Sequence, residues 1–313
     1  MIRAAVVILV IAALASLPAF ASNYTLRLGT MFAMYAVLAQ SWNIIGGFAG
    51  YPSFATAAFF GLGAYTGAIL QSQGIPMPLA WMAACVMALA FAICLGAAIL
   101  HLKGHYFAIA SLVVAEVLLE ITTSWTELTG GGMGLNLPIL RITIEAQARL
   151  FFWSMLALAV TALVLNILVS SSRIGFALRC IRQNEDASAM VGINTTFYKV
   201  AGFALSAVLV GGAGAMYASW VFYIEPPDVY SVLTSVKPIV MALLGGAGTV
   251  FGPVIGAAIF LVMEEVVWRS FLSIHAGVLG LIIVALIFFL PNGILGLFRN
   301  GVLGMRKARA RPK

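Results

Sequence analysis

The chain contains 313 residues, of which 63% are hydrophobic and only 9% are charged. A soluble domain is typically about half apolar and about a quarter charged, so this composition excludes a pair of soluble domains. The mean hydropathy of +1.07 indicates a polytopic membrane protein built from helices, which satisfy their own backbone hydrogen bonds within a bilayer. The net charge of +7 does not indicate nucleic-acid binding, because the basic residues flank the apolar segments.

Apolar segments long enough to cross a bilayer follow one another along the chain. They cover residues 3–20, 28–45, 53–70, 79–100, 106–121, 150–169, 200–220 and 277–290, with an interrupted element at 238–267. The sequence therefore predicts an all-α polytopic membrane protein with about eight to ten transmembrane helices, including two broken or re-entrant elements.

The first apolar segment has two interpretations. It is either a first transmembrane span or a signal peptide with a cleavage site at Ala19-Phe20-Ala21. In both cases residues 23–27 are expected to lie outside the membrane.

Two glycine clusters interrupt apolar segments in the two halves of the chain. Each lies between two helical patterns and is followed by a proline, first in IIGGFAGYPSFATAAFFGLGAY and again in LLGGAGTVFGPVIGAAIF. Interrupted segments at corresponding positions of an internal repeat indicate a substrate path between the repeats. The alternative is a chance match of glycine-rich helices that only pack closely. The candidate path residues are Gly46, Gly47, Gly50, Pro52, Gly245, Gly246 and Gly248.

The longest polar interruption covers residues 170–199. It separates an N-terminal transmembrane half, 1–169, from a C-terminal half, 200–298, which a basic tail at 299–313 follows. We predict one short amphipathic helix outside the membrane, which is either a solvated connector or a docking surface for a soluble partner. Its apolar residues recur with helical spacing at Ile174, Leu178, Ile181 and Met190.

The polar residues of this segment predict its local contacts. Arg182 and Asp186 lie four residues apart and are expected to pair on the helix surface. Gly192 is expected to end the helix, and Asn194 or Thr195 to cap the next one.

The basic residues predict the orientation of the chain. With the N-terminus placed in the cytosol, 12 of the 17 Lys and Arg residues fall inside and 5 outside, which the positive-inside rule favours. The segment 170–199 and the tail are then cytosolic, and residues 124–149 are external. This count requires residues 236–267 to cross an even number of times, as a hairpin or re-entrant turn. The residues placed outside are Arg27, Arg141, Arg149, Lys237 and Arg269.

Few ionisable or thiol side chains fall within the predicted spans. Glu116 and Glu120 share one face of a span and either contact protein or water within the membrane or are wet at its outer edge. No Arg or Lys is predicted at the centre of any span. The three cysteines have no metal or redox spacing and are expected to be small core residues, at Cys85, Cys94 and Cys180.

The sequence predicts no catalytic residues and no metal site. His101, His105 and His275 lack a surrounding catalytic cluster. The chain also has no GxxxxGK[ST] motif, so it is not expected to bind ATP phosphates in the usual way. Energy for transport would therefore come from a partner.

Four stretches in order resemble the membrane-spanning permease subunit of branched-chain amino acid ABC importers, of the LivM type. The Arg-rich loop that ends in Gly192-Ile193-Asn194 makes this set of stretches specific for the family. At residues 51–56 the family more often has Gln, Ser and a Gly-His pair, so the resemblance does not define the substrate. The stretches are SWNIIGGFAGYPSFATAAFFGLGAY (41–65), GHYFAIASLVVAEVLLEITTSWTELTGGGMGL (104–135), SRIGFALRCIRQNEDASAMVGINTTFYKVAGFALSAVLVGGAGAMYA (172–218) and ALLGGAGTVFGPVIGA (242–257).

The resemblance implies a permease for branched-chain or related hydrophobic amino acids in the bacterial inner membrane. It implies a heterodimer with a second permease subunit, two cytosolic ATPase subunits that bind the ATP, and an external substrate-binding protein. No cofactor is implied in this chain. The family's ATPase-coupling helix matches residues 179–192, with Arg179, Arg182, Glu185, Ala187 and Gly192 at the matching positions.

Two other functions remain open at the level of sequence. One is import of urea or short amides, and the other is ion-coupled secondary transport that uses Glu116 or Glu264 as a relay. For a zwitterionic amino acid, the charges need compensation inside the membrane. Backbone groups freed at the two glycine clusters are expected to supply it, in a low-affinity path.

Overall fold

The computed structural model describes Ser16, Pro18, Phe20, residues 22–270, Gly280, Gly293 and Ile294. The predicted span at 3–20, the last span at 277–290 and the basic tail at 299–313 therefore lie almost entirely outside the described residues.

The described part of the chain is almost wholly helical, and six of its segments are long and apolar enough to cross a bilayer. The predicted class, an all-α polytopic membrane protein, is confirmed. The helices are α1 (Asn23–Trp42), extended by a π-helical turn (Asn43–Phe48), α2 (Thr56–Ser72), α3 (Met77–Ile99), α4 (His105–Ser124), α5 (Thr126–Thr129), α6 (Ile144–Ser171), α7 (Arg173–Gln183), α8 (Glu185–Met190), α9 (Thr195–Val221), α10 (Pro226–Val229), α11 (Val232–Gly245) and α12 (Gly252–Ser270). A 3-10 turn (Gly131–Met133) and two short strands, β1 (Leu135–Asn136) and β2 (Tyr223–Ile224), complete the described elements.

Helix α9 packs against α1, α2, α3 and α7. Small residues allow this close approach. A Cβ atom on Gly211 would lie 2.5 Å from the Cβ atom of Ala88, and one on Gly214 would lie 2.0 Å from the carbonyl oxygen of Phe60. Small residues in α9 therefore bring it close to its neighbours.

One narrow stripe of α3 is buried, and it consists of small residues four apart. The rest of this helix exposes large apolar side chains, including Met82 and Val86, which suit a surface covered by lipid. Cys94 is also exposed, so its predicted place in the core is wrong, whereas Cys85 and Cys180 are partly buried. The buried stripe is Ala80, Ala84, Ala88, Ala92 and Gly96.

Each glycine cluster lies between two consecutive helices, and the second cluster forms the turn of a helical hairpin. Helices α1 and α2 flank the first break, and α11 and α12, which pack on each other, flank the second. A hydrogen bond from Tyr24 to Glu265 brings the end of α12 back to the start of α1. Residues 236–267 therefore return to the end of the bundle from which they began, as the orientation count requires.

Both breaks lie at the same end of the bundle. Asn43 contacts Thr249 directly, which places the two turns side by side. The 20 residues of α1 span about 30 Å, a full hydrocarbon thickness, before the first break begins. Both breaks therefore follow at the far end of a helix that is already long enough to cross the hydrocarbon layer.

The central segment forms two helices, α7 and α8, and not the single helix predicted. Asn184 separates them because its backbone is extended, with φ −162° and ψ 112°. Its side chain caps α8 by accepting a hydrogen bond from the Ala187 N–H at 3.0 Å. Leu178 and Ile181 are buried as predicted, but Met190 is exposed.

The predicted pair between Arg182 and Asp186 is wrong. The bend at Asn184 separates the two side chains, and Asp186 pairs instead with Lys103 at 2.7 Å. Gly192 follows the end of α8 with a φ of +88°. Asn194 then caps α9 by accepting from the Phe197 N–H at 3.0 Å, so the residues from Thr195 onward are helical.

Local caps also explain why two helices begin earlier than predicted. Thr143 caps α6, which starts at Ile144 instead of residue 150. Ser22 caps α1, so residues 23–27 form the first turns of this helix, which starts at Asn23 instead of residue 28. Their expected place outside the membrane stays a prediction. At the same end of the bundle, β1 pairs antiparallel with β2, and Leu135 lies opposite Ile224.

Candidate functional site

The two glycine breaks contact each other through their backbones. A Cβ atom on Gly47 would lie 2.7 Å from the backbone nitrogen of Gly248, and one on Gly248 would lie 3.0 Å from the carbonyl oxygen of Gly47. Gly248 also has a φ of +81°, which favours glycine. We call this contact, with the side chains that bind it, the glycine junction.

Two asparagines hold the glycine junction together, and the sequence analysis missed both. The Asn43 side chain donates to the Thr249 carbonyl at 2.9 Å and accepts from the Gly248 N–H at 2.7 Å. It also donates to the Asn166 side chain at 3.3 Å, which in turn donates to the Gln40 carbonyl at 3.1 Å. An asparagine inside an apolar run is the signal that was available, since polar groups in spans need partners.

Arg182 joins the predicted coupling segment to the predicted path residues. Its guanidinium donates to the Gly47 carbonyl at 2.5 Å. Its side chain also lies against Gly50 and Gly248, where added Cβ atoms would approach it within 2.9 Å and 2.6 Å. The sequence treated these as two sites, and the structure brings them together.

Three of the backbone groups at the breaks are therefore occupied by side chains. Asn43 binds the Gly248 N–H and the Thr249 carbonyl, and Arg182 binds the Gly47 carbonyl. These groups are not open to a solute in this conformation, and the geometry of the glycine junction favours the close-packing alternative.

The other predicted path residues surround the junction. Gly46 lies against the Trp42 ring, and Gly50 has a φ of +75°. Pro52 is half-buried in the connection to α2. Gly245 packs against the Gly252 carbonyl, and Gly246 has a φ of +117° where α11 ends.

A second connection between α8 and the first break is a buried ionic cluster. Lys199 is 2% exposed and donates to Glu185 at 2.6 Å, to the Leu100 carbonyl at 2.6 Å and to the Tyr51 hydroxyl at 3.2 Å. Tyr51 donates a hydrogen bond to the other oxygen of Glu185. All three donors of the Lys199 ammonium are therefore used.

The protonation states of this cluster follow from its contacts. Burial alone would raise the pKa of Glu185, but the hydrogen bonds from Lys199 and Tyr51 and the charge of Lys199 outweigh it and hold the pKa below its usual value. Burial, with the Glu185 carboxylate beside it, raises the pKa of Tyr51. At neutral pH Glu185 is therefore ionised and Tyr51 keeps its proton.

The remaining predicted coupling residues lie at the surface of α7 and α8. Arg179 donates to the Ser170 carbonyl at 3.0 Å and so contacts the end of α6. Ala187 and Gly192 are exposed, as are the neighbouring apolar side chains of Met190 and Val191. The α7–α8 unit therefore binds the breaks on one side and presents an apolar surface on the other.

A lysine lies within a candidate span, which the sequence analysis did not expect. Lys237 is in the second turn of α11, whose candidate span is Pro226–Gly245. It pairs with Glu264 of α12 at 2.8 Å and donates to the Tyr35 hydroxyl at 3.1 Å. These partners would offset the cost of a charge within this candidate span. The expectation that Lys237 lies outside the membrane stays a prediction.

Lys237 lines a cavity of about 620 Å³ between α1, α2, α9 and the α10–α11 segment. By contrast, Glu116 and Glu120 are exposed on the outer surface of α4 and do not contribute to it. Among the described residues, no group of three or more His, Cys, Asp or Glu side chains is arranged to hold a metal ion.

Residues 24–290 match the family model described as the branched-chain amino acid transport system / permease component. The chain belongs to this family. It is 27% identical to the high-affinity branched-chain amino acid transport system permease protein LivM of Escherichia coli K12, over 90% of this chain and 72% of that protein.

Two further relatives cover most of their own lengths. The probable branched-chain amino acid transport permease protein LivM of Methanocaldococcus jannaschii is 21% identical, over 84% of this chain and 91% of that protein. The permease protein LivH of the high-affinity branched-chain amino acid transport system of Salmonella typhimurium is 24% identical, over 85% of this chain and 92% of that protein. No solved structure matches the chain. The family and the six apolar segments together identify a multi-pass transport permease.

Proposed function

We propose that this chain is the membrane-spanning permease subunit of an ATP-driven importer of branched-chain or related hydrophobic amino acids. It works in the bacterial inner membrane with a second permease subunit, two cytosolic ATPase subunits and an external substrate-binding protein. ATP is bound by the partners, because this sequence has no GxxxxGK[ST] motif.

The observation that carries this proposal is the two-sided character of the α7–α8 unit. On the inner side, Arg182 and Glu185 bind the Gly47 carbonyl and the Tyr51 hydroxyl of the first break. On the outer side, Met190 and Val191 are 87% and 78% exposed. A large apolar surface at the end of a membrane bundle suits a soluble partner, and displacement of this unit would act directly on the breaks.

The test is to replace Met190 by Asp and to co-purify the complex with the candidate ATPase subunits. We expect the M190D variant to lose ATPase association and leucine uptake, because a charge would enter an apolar contact. Met133→Asp is the matched control, since Met133 is 85% exposed at the opposite end of the bundle. Normal association and uptake in the M190D variant would refute the coupling role of this surface.

The same assay separates the alternatives. Uptake by the assembled complex should require ATP and the binding protein, and it should persist when the ion gradients are collapsed. Uptake that follows an ion gradient without ATP would support secondary transport. Uptake of urea or short amides in preference to leucine would identify the other importer class.

A further inference from the structure

The cavity next to Lys237 is separate from the glycine junction. It opens near the start of α1, the end opposite to the two breaks, and none of the break glycines lines it. Its volume of about 620 Å³ falls within the range of small-molecule sites, roughly 300–1,000 Å³.

The walls of the cavity are mostly apolar. Met31, Met34 and Leu38 contribute from α1, Phe60 from α2 and Trp220 from α9. Methionine side chains are unbranched and adapt to ligands of different shape. Such walls suit aliphatic side chains of several sizes better than one fixed shape.

One hydrogen-bond donor of Lys237, which lines the cavity, has no acceptor among the residues that the structure describes. A lysine ammonium has three donors, and Lys237 uses one on Glu264 at 2.8 Å and one on Tyr35 at 3.1 Å. Within the described part of the chain no third acceptor binds it. The remaining N–H is available to a carboxylate.

The charges of the cavity balance. Lys237 is paired with Glu264, and Arg27 and Asp228, both exposed, lie at its opening. A solute with one positive and one negative group leaves this balance unchanged, whereas a net ion would add an uncompensated charge within the membrane. Asp228 is placed to attract an ammonium group, since its carboxylate accepts no hydrogen bond from the residues that the structure describes.

We infer that this cavity is a binding site of the permease for zwitterionic α-amino acids with apolar side chains. The Lys237 ammonium binds the carboxylate, Asp228 attracts the ammonium group, and the Met31–Leu38 face of α1 contacts the side chain. This site deepens the proposed function and rests on it.

The test measures direct binding of radiolabelled leucine to the purified permease–ATPase complex in nanodiscs, without the binding protein. The key variant is Lys237→Met combined with Glu264→Gln, which removes both charges and leaves neither one unpaired. We expect leucine binding to weaken by about tenfold or more, as when a buried charged contact is lost. We also expect the variant to lose the preference for leucine over leucinol, which has no carboxylate.

Asp228→Asn is an independent variant at an exposed position and should also weaken leucine binding. Glu127→Gln is its control, because Glu127 is an exposed acidic residue at the same end of the bundle and outside the cavity. If the double variant does not assemble, the comparison of leucine binding by Asp228→Asn with leucine binding by Glu127→Gln tests the inference. The inference is overturned by wild-type leucine binding in the double variant or in Asp228→Asn, and by absence of leucine binding in the wild type.

Failure of the proposed function looks different. In that case the wild-type complex would not take up leucine with ATP and the binding protein. Wild-type uptake together with unchanged binding in the variants would remove the cavity site alone.

Discussion

At the scale of single residues, Gly47 and Gly248 are required for geometric reasons. Their backbones touch at the glycine junction, where added Cβ atoms would lie 2.7 Å and 3.0 Å from backbone atoms of the other break. Backbone atoms cannot move aside as the end of a flexible side chain can. Close packing therefore explains both glycines without requiring that they line the path.

We accordingly expect Gly47→Ala to destabilise the purified protein by about 1–3 kcal/mol, as for an overpacked core position. The new Cβ atom would lie 2.0 Å from the Asn43 side-chain oxygen and would disturb the hydrogen bonds to Gly248 and Thr249. The measurement is the thermal unfolding midpoint in detergent. Gly132→Ala is the control, because its Cβ atom would have only an ordinary contact at 3.9 Å. Equal midpoints for Gly47→Ala and the wild type would contradict the packing role.

The buried Lys199 and the partly buried Lys237 differ in how many of their ammonium donors have acceptors. Lys199 uses all three donors on Glu185, Tyr51 and the Leu100 carbonyl. Lys237 uses two within the described chain, on Glu264 and Tyr35. Lys199 therefore stabilises the fold and has no donor left for a ligand. Lys237 has one donor that no described residue accepts.

At the scale of elements, the α7–α8 unit is connected to both glycine breaks. Arg182 and Glu185 bind the first break, and Asn43 of that break binds Gly248 and Thr249 of the second. A movement of α7–α8 would therefore displace the first break, at the end of α1, through direct contacts. It would displace the α11–α12 hairpin only through Asn43. This hairpin carries Lys237 and Glu264, which line or support the cavity.

We predict that Arg182→Ala lowers leucine uptake per ATP hydrolysed by the reconstituted complex. Loss of a hydrogen bond from a charged group costs about 1.5–3 kcal/mol, so a reduction of about tenfold is expected. Arg173→Ala is the control, because Arg173 is exposed on the same helix and is not one of the predicted coupling residues. A similar ratio for Arg182→Ala and Arg173→Ala would show that the contact with Gly47 carries no coupling.

At the scale of the whole molecule, the basic residues group at two ends of the bundle. Lys103, Arg179 and Arg182 lie at the end with the breaks and the α7–α8 unit. Arg27 and Arg149 lie at the end where α1 and α6 begin. Under the positive-inside rule, the end of the bundle with more Lys and Arg residues is expected to face the cytosol. We therefore predict that the end with the breaks and the α7–α8 unit is cytosolic.

Thiol labelling in a cysteine-free background tests this orientation. We expect an impermeant reagent added to intact cells to label Ile139→Cys, whose position is exposed beside β1, and not Asn184→Cys between α7 and α8. Both positions should react after the membrane is permeabilised. Labelling of Asn184→Cys in intact cells would reverse the orientation.

The sequence by itself determined the class, the order of the helices within residues 22–270 and the position of both breaks. Hydropathy indicated the helices because a bilayer requires long apolar runs whose backbone bonds are internal. Glycine clusters indicated the breaks, and Gly192 and Asn194 the ends of helices, because these depend on residues close together in the chain.

Only the tertiary structure decided which distant residues meet. The contacts of Arg182 with Gly47, of Asn43 with Gly248 and of Asp186 with Lys103 join residues far apart in the sequence. The count of crossings placed Lys237 outside, and nothing near it in the sequence indicated its partners Glu264 and Tyr35, which come from other helices. The hydropathy of a segment includes the unfavourable free energy of burying a charge. It does not include the ion pairs and hydrogen bonds that offset this free energy, because their partners come together only in the folded protein.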